Sequence, residues 1–168
     1  AASAKPAEAR RTGAYLPIRY VWPLDAGDRN VLQSNFLSET SAREALERAR
    51  DTGLPALSSK VMLDQGSDRE PEAVVALFVP VFGSGADVTT VAKRQAAISG
   101  YVYALFRIEG LMHGIVGEIS DVRLRVFDGA PGHIAGLLFD SAPGRVASTR
   151  PPEFLAKLGL PLPGREWT

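Results

Sequence analysis

The sequence contains no cysteine, which excludes thiol nucleophiles, disulfides and thiolate metal sites, while leaving the compartment open because exported domains also exist without disulfides. It has no surplus of either charge. Nineteen Lys and Arg residues balance nineteen Asp and Glu, so no net field draws the chain to nucleic acid or to an anionic membrane surface. No run approaches the roughly 18 to 20 apolar residues that cross a bilayer, and the N-terminus lacks the charged-then-apolar layout of a signal peptide. A glycine-rich phosphate loop, GxSxG and HExxH are all missing. The two histidines stand apart, His113 on a predicted helix and His133 in a Gly-Pro turn, which reads as two surface histidines rather than a metal pair.

What remains is a folding composition. The 168 residues are 45% hydrophobic and 23% charged, enough for one ordinary domain or two small coupled ones. Residues 1–14 carry no sustained periodicity. In 15–22 Leu16, Ile18, Tyr20 and Trp22 alternate as in a strand, with Pro17 arguing for an edge and Pro23 closing it. The clearest element is a helix over about 42–51. Ser41 and Glu44 have capping-box spacing, Ala42, Ala45, Leu46 and Ala49 make one apolar stripe, Arg43, Glu44, Glu47, Arg48 and Arg50 fall on a solvated face, and Gly53 supplies a left-handed stop.

A strand is expected over 56–63, then a polar turn, then a strand over 73–82 whose continuous apolar run 73–79 implies burial on both faces. Residues 88–99 read as a helix ended by Gly100, followed by a strand over 101–108. A second unit begins near Glu109: a helical stripe of Leu111, Met112, Ile115, Val116 and Ile119, then Val122, Leu124 and Val126 alternating with Arg123 and Arg125. Asp128-Gly129 turns the chain toward a hairpin partner over 134–139. Residues 142–150 are linker-like, 151–158 a short helix candidate with proline at its start, and Trp167-Thr168 the start of one more strand. This order predicts an α+β fold, mainly antiparallel, with helices on one face: a PAS-like arrangement.

Catalysis finds little support in these residues. Asp121 and Asp128 flank one strand, but their spacing puts them near opposite ends of it. Binding has more. Ser58 and Ser59 interrupt an otherwise core-like strand, and Tyr101 and Tyr103 share one face of another, as in an apolar pocket with a few placed polar groups. The same tyrosines also fit an ordinary core with hydroxyls near the surface.

Four segments in order carry a resemblance: REALERARDTG at 43–53, Phe-Val-Pro-Val-Phe at 78–82, Lys93-Arg94, and GYVYALFRIEGL at 100–111. Together they resemble the CHASE family, the extracytoplasmic sensor domains of bacterial and plant signalling receptors. The resemblance implies a residual stalk in 1–14, a membrane-distal PAS-like sensor in 15–108 and a smaller proximal unit in 109–168. It also implies a homodimer that senses a small molecule outside the cytoplasm, in the periplasm or beyond the plasma membrane. Flanking transmembrane helices, absent here, would link it to a cytoplasmic histidine kinase or cyclic dinucleotide enzyme. No catalytic role, cofactor, metal or nucleic-acid partner is implied.

The implied ligand-binding positions are Ser58, Leu63, Phe78, Tyr101 and Tyr103. Tyr101 matches a pocket tyrosine of the related cytokinin receptors, and Ser58 stands at a hydroxyl-bearing threonine. Ala42 stands where those receptors carry the aspartate that grips the adenine ring, and Phe78 where they carry a second threonine. Losing that carboxylate removes a partner worth on the order of 1.5–3 kcal/mol, which points away from cytokinin and toward a smaller or more apolar ligand. Two other classes compete: a ligand-free dimerisation or protein-interaction module, and a small hydrolase using Asp, Ser and His side chains.

Overall fold

The computed structural model describes residues 18, 20, 40–63, 72–117, 122–143 and 154–168. Its frame is a long antiparallel pair, β3 (Glu72–Phe82) and β4 (Ile98–Arg107), in register from Val74 opposite Arg107 to Phe82 opposite Ile98, with an irregularity between Val81 and Phe82. The other edge of β3 takes two short strands, β1 (Ala56–Leu57) and β2 (Val61–Leu63).

Sequence pattern suggests a single strand over 56–63, but it breaks at 58–60. The backbone N–H of Ser58 donates to Ala76 O, and the N–H of Ala76 donates to Ser58 Oγ rather than to a carbonyl. A hydroxyl thus takes a ladder position. The register slips by one residue, from Leu57 opposite Leu77 to Val61 opposite Val74, which is how a bulge re-aims the chain beyond it.

Helix α1 (Thr40–Thr52) lies on one face of this sheet and buries Ala42, Ala45, Leu46 and Ala49, the stripe that periodicity predicts. They form one cluster with Ala56, Ala76 and Phe78. Three alanines in that stripe let the helix axis approach the sheet closely, and Phe78 fills the space their short side chains leave. The helix starts at Thr40, so Ser41 lies inside the first turn rather than at the cap. Gly53, at φ 73, ends it, its N–H donating to Ala49 O.

Helix α2 (Val91–Ala97) packs beside α1 and is capped by Thr90, whose side chain accepts from the N–H of Lys93. It is shorter than the expected 88–99. Strand pairing with β3 captures Ile98, and Gly100 lies within β4 opposite Val81 instead of ending a helix. Of the strand expected over 15–22, only Ile18 and Tyr20 are described, and neither lies in a strand.

The opposite face of the sheet meets side chains from several elements that follow β4. Leu57, Val75, Leu77 and Phe106 pack with Ile108 and Met112 of α3 (Ile108–Val116), with Leu138 and Phe139, and with Trp167. Strands β5 (Arg125–Phe127) and β6 (Leu137–Asp140) make the expected hairpin, with a 3-10 turn at Ile134–Gly136 before β6. The helical stripe stops at Val116. Ile119 lies outside the described residues.

The last strand is one arm of a hairpin, β7 (Leu160–Leu162) with β8 (Arg165–Trp167). Phe127 and Thr168 exchange backbone hydrogen bonds, and Asp128 bridges to Trp167, which ties this separate hairpin to the end of β5. The expected helix over 151–158 does not form in its described part, 154–158. Phe154, Leu155 and Leu158 are exposed there, and so short a helix is unstable in water without an apolar face to bury. The whole is α+β with antiparallel sheets, the PAS-like class expected. Helix α1 covers one face of the β1–β4 sheet; the far end of the other face leaves Val79, Val81 and Val102 exposed.

Candidate functional site

The register of β3 and β4 builds the site. Phe78 stands opposite Tyr103, and Pro80 opposite Tyr101, so the three rings fall on the face that α1 covers. The Phe78 ring lies 6.4 Å from that of Tyr101, edge-on, and 6.3 Å from that of Tyr103, tilted, within the range where aromatic pairs attract. Phe78 is buried at 1% exposure, while both tyrosines are half-buried, with Ile18 and Leu105 beside them. The result is an aromatic floor that is closed at Phe78 and accessible along the tyrosines.

The C-terminal turn of α1 gives this floor a polar rim. Arg50 Nε donates to Asp51 Oδ1 at 2.7 Å, and Gln95 Nε2 donates to the same oxygen at 3.0 Å. Arg94 Nε donates to the Asp51 carbonyl at 2.8 Å, satisfying one of the carbonyls a helix end leaves open, and Arg94 Nη1 donates to Val88 O at 2.7 Å. A Cβ added at Gly53 would sit 3.2 Å from Arg94 Cδ. Asp51 is therefore the point where α2 is fastened to α1.

These contacts tune the ionisable groups. The hydrogen bond from Arg50, then that from Gln95, holds the Asp51 carboxyl below its ordinary range, and the same pairing raises the Arg50 guanidinium. Burial pushes the Tyr101 phenol up, opposed by the Arg50 charge and reinforced by Asp51 and Glu47. Tyr101 thus stays a neutral hydroxyl that can donate or accept.

Of the residues singled out by sequence, Phe78, Tyr101 and Tyr103 come together. Ser58 is fully buried near them, but its hydroxyl donates to Ser59 O at 2.8 Å and accepts from the N–H of Ala76 at 2.9 Å, so its hydrogen bonding is spent inside the fold. Leu63 pairs by backbone with Glu72, six residues along β3 from Phe78, a separation of roughly 20 Å at strand rise.

Sequence reasoning missed Arg50, Asp51 and Gln95. The RDTG ending and Lys93-Arg94 stood out as segments, but helical periodicity put Arg50 on the solvated face. Nothing in that periodicity says that β4 passes beneath the helix end. His113 and His133 are exposed; His113 lies 3.9 Å from Glu109 and sets its ring edge against Phe139. Asp121 lies outside the described residues, and Asp128 is engaged with Arg165 at 2.7 and 2.6 Å. Among the described residues there is no cluster of His, Asp or Glu able to hold a metal, and no helix is long and apolar enough to cross a membrane.

No curated protein matches this sequence. The family model described as CHASE domain matches residues 2–139, a span that contains α1, the β1–β4 sheet and every residue of the floor and rim. On that match the chain belongs to the CHASE domain family, the extracytoplasmic sensor domains of signalling receptors.

Proposed function

We propose that this chain is the ligand-sensing part of a membrane receptor and that a small molecule binds along Tyr101 and Tyr103 beneath α1, without chemical conversion. The observation that carries the reading is the pairing of a buried ring, Phe78, with two half-buried tyrosines on the one sheet face that also meets a polar rim. Buried aromatic surface supplies affinity, and the few polar groups supply orientation. Ala42 and Phe78, both buried, stand where the cytokinin receptors carry an aspartate and a threonine, which favours a ligand smaller or more apolar than a cytokinin.

In this reading residues 15–108 form the sensing unit and 109–168 the unit nearer the membrane, in the periplasm or outside the plasma membrane. Two chains act as a homodimer. Occupancy biases a cytoplasmic histidine kinase or cyclic dinucleotide enzyme only to the extent that the ligand prefers one arrangement of the dimer. Native mass spectrometry of the purified domain, before and after denaturation, tests the proposal. Release of a small molecule whose retention is lost in Tyr103→Ala supports it; a domain that is ligand-free and gives no thermal shift across a metabolite panel argues against it.

A ligand-free interaction module is the second reading. Phe78 already fills the floor, and Val79, Val81 and Val102 leave an apolar area on the opposite face. A monomer at high concentration by analytical ultracentrifugation would remove the dimeric form of that reading.

A further inference from the structure

The rim contains donors that the described residues do not use. Arg50 is held by one edge only, Nε to Asp51 Oδ1, and among the described residues its two terminal amino groups have no hydrogen-bond partner; nor does the Tyr101 hydroxyl. Both groups belong to the same corner. Tyr101 packs against the cluster that contains Ala49, the residue before Arg50, and the Arg50 charge bears on the Tyr101 hydroxyl. A guanidinium fixed at Nε keeps a fork of N–H groups in one plane, a geometry that matches a planar acceptor with two oxygens. The neighbouring carboxylates of Asp51 and Glu47 oppose a second negative charge at this spot, so a phosphate dianion is disfavoured against a monoanion.

We infer that the ligand ends in a carboxylate, which Arg50 and the Tyr101 hydroxyl bind while the rest of the molecule lies along the half-buried Tyr103 ring. This rests on the proposed sensing role and specifies its ligand class: a small aromatic or branched-apolar acid. Arg50 then chooses the ligand by charge, and the tyrosine floor chooses it by shape.

The test titrates the full chain with benzoate and with benzyl alcohol, a neutral probe of similar shape, and follows backbone and Arg side-chain resonances by NMR. Benzoate is expected to shift the resonances of Arg50 and Tyr101 at millimolar concentration and to bind more tightly than benzyl alcohol. Arg50→Ala should weaken benzoate about tenfold or more, and Tyr101→Phe a few-fold. Arg50→Lys, which keeps the charge but loses the fork, should recover part of the loss. Thermal unfolding of each variant separates a binding defect from a loosened helix end.

Equal binding of the two probes, with Arg50→Ala silent and Tyr103→Ala weakening both, overturns the carboxylate assignment and leaves the aromatic site standing. Benzoate shifts confined to residues away from the rim overturn it as well, and if Tyr103→Ala is also without effect, the floor is no ligand site for these probes. Failure of benzoate to shift any resonance overturns it too, while the sensing role is then decided by the copurification experiment.

Discussion

The two clusters of this molecule meet opposite faces of one sheet and are held by different physics. Under α1, close packing of alanines around Phe78 does the work, and the polar groups at its rim are only partly committed. Beyond β4, two carboxylates are held by arginines. Asp140 accepts from Arg123 at 2.9 and 2.6 Å, from Arg125 at 3.2 Å and from the N–H of Ala142 at 3.1 Å, and Asp128 takes the fork of Arg165. Paired geometry of this kind fixes orientation as well as charge. The contrast is between a face packed mainly by apolar side chains and one held by paired charges.

Phe78→Ala should break the comparison most severely. Removing a ring at 1% exposure leaves a cavity that the rigid β3–β4 ladder cannot close, at a cost of about 3–5 kcal/mol in urea unfolding. A loss below about 1 kcal/mol would mean that α1 settles into the space and that the floor is not rigid.

Asp140→Ala comes next, at about 2–3 kcal/mol, because four hydrogen bonds lose their acceptor at once. Its acid dependence sharpens the same point. The Arg123 hydrogen bond, against burial, holds Asp140 down from 3.8 to about 2, so its contribution is complete above pH about 4 and is lost as pH falls toward 2, on the order of 1–2 kcal/mol. The wild-type minus Asp140→Ala difference, measured as thermal midpoints along an acid series, should shrink across that window; a constant difference would show the pairing is not electrostatic.

Gly164→Ala addresses the joint between the regions. The turn of the C-terminal hairpin sits at φ 71, accepts from Arg48 Nη1 at 3.1 Å through its carbonyl, and leaves only 2.8 Å between an added Cβ and Arg48 Cδ. The N–H of Leu57 donates to the Pro163 carbonyl beside it. Destabilisation of about 1–2 kcal/mol is expected, with faster amide exchange at Leu57 as the local signature. Tyr101→Phe has the smallest effect. A hydroxyl without a partner among the described residues should cost under about 0.5 kcal/mol to remove, and a larger loss would show that Tyr101 is structural rather than reserved for a ligand.

Much of this could be read in the chain. The alanine stripe of α1, the long β3, the tyrosines on alternate positions of β4 and the β5–β6 hairpin all follow from local periodicity, and the RDTG to GYVY segments carried the family. Other features did not yield. Ser58 looks like a strand residue lining a pocket, yet its hydroxyl replaces a carbonyl in the ladder because Ala76 offers an N–H there. Gly100 looks like a helix stop, yet pairing with Val81 outweighs its low strand preference.

By itself the sequence determined the elements whose burial is periodic and the balance of charge that keeps the surface neutral, since both depend on neighbours along the chain. The partners of single polar groups were left to the tertiary structure. That Arg50 stands at the rim of the tyrosine floor, that Asp51 fastens α2, and that Arg165 closes on Asp128 are contacts across 37 to 51 residues of chain, and no local pattern encodes them. They arise only when packing of the apolar faces brings distant charges within hydrogen-bond reach.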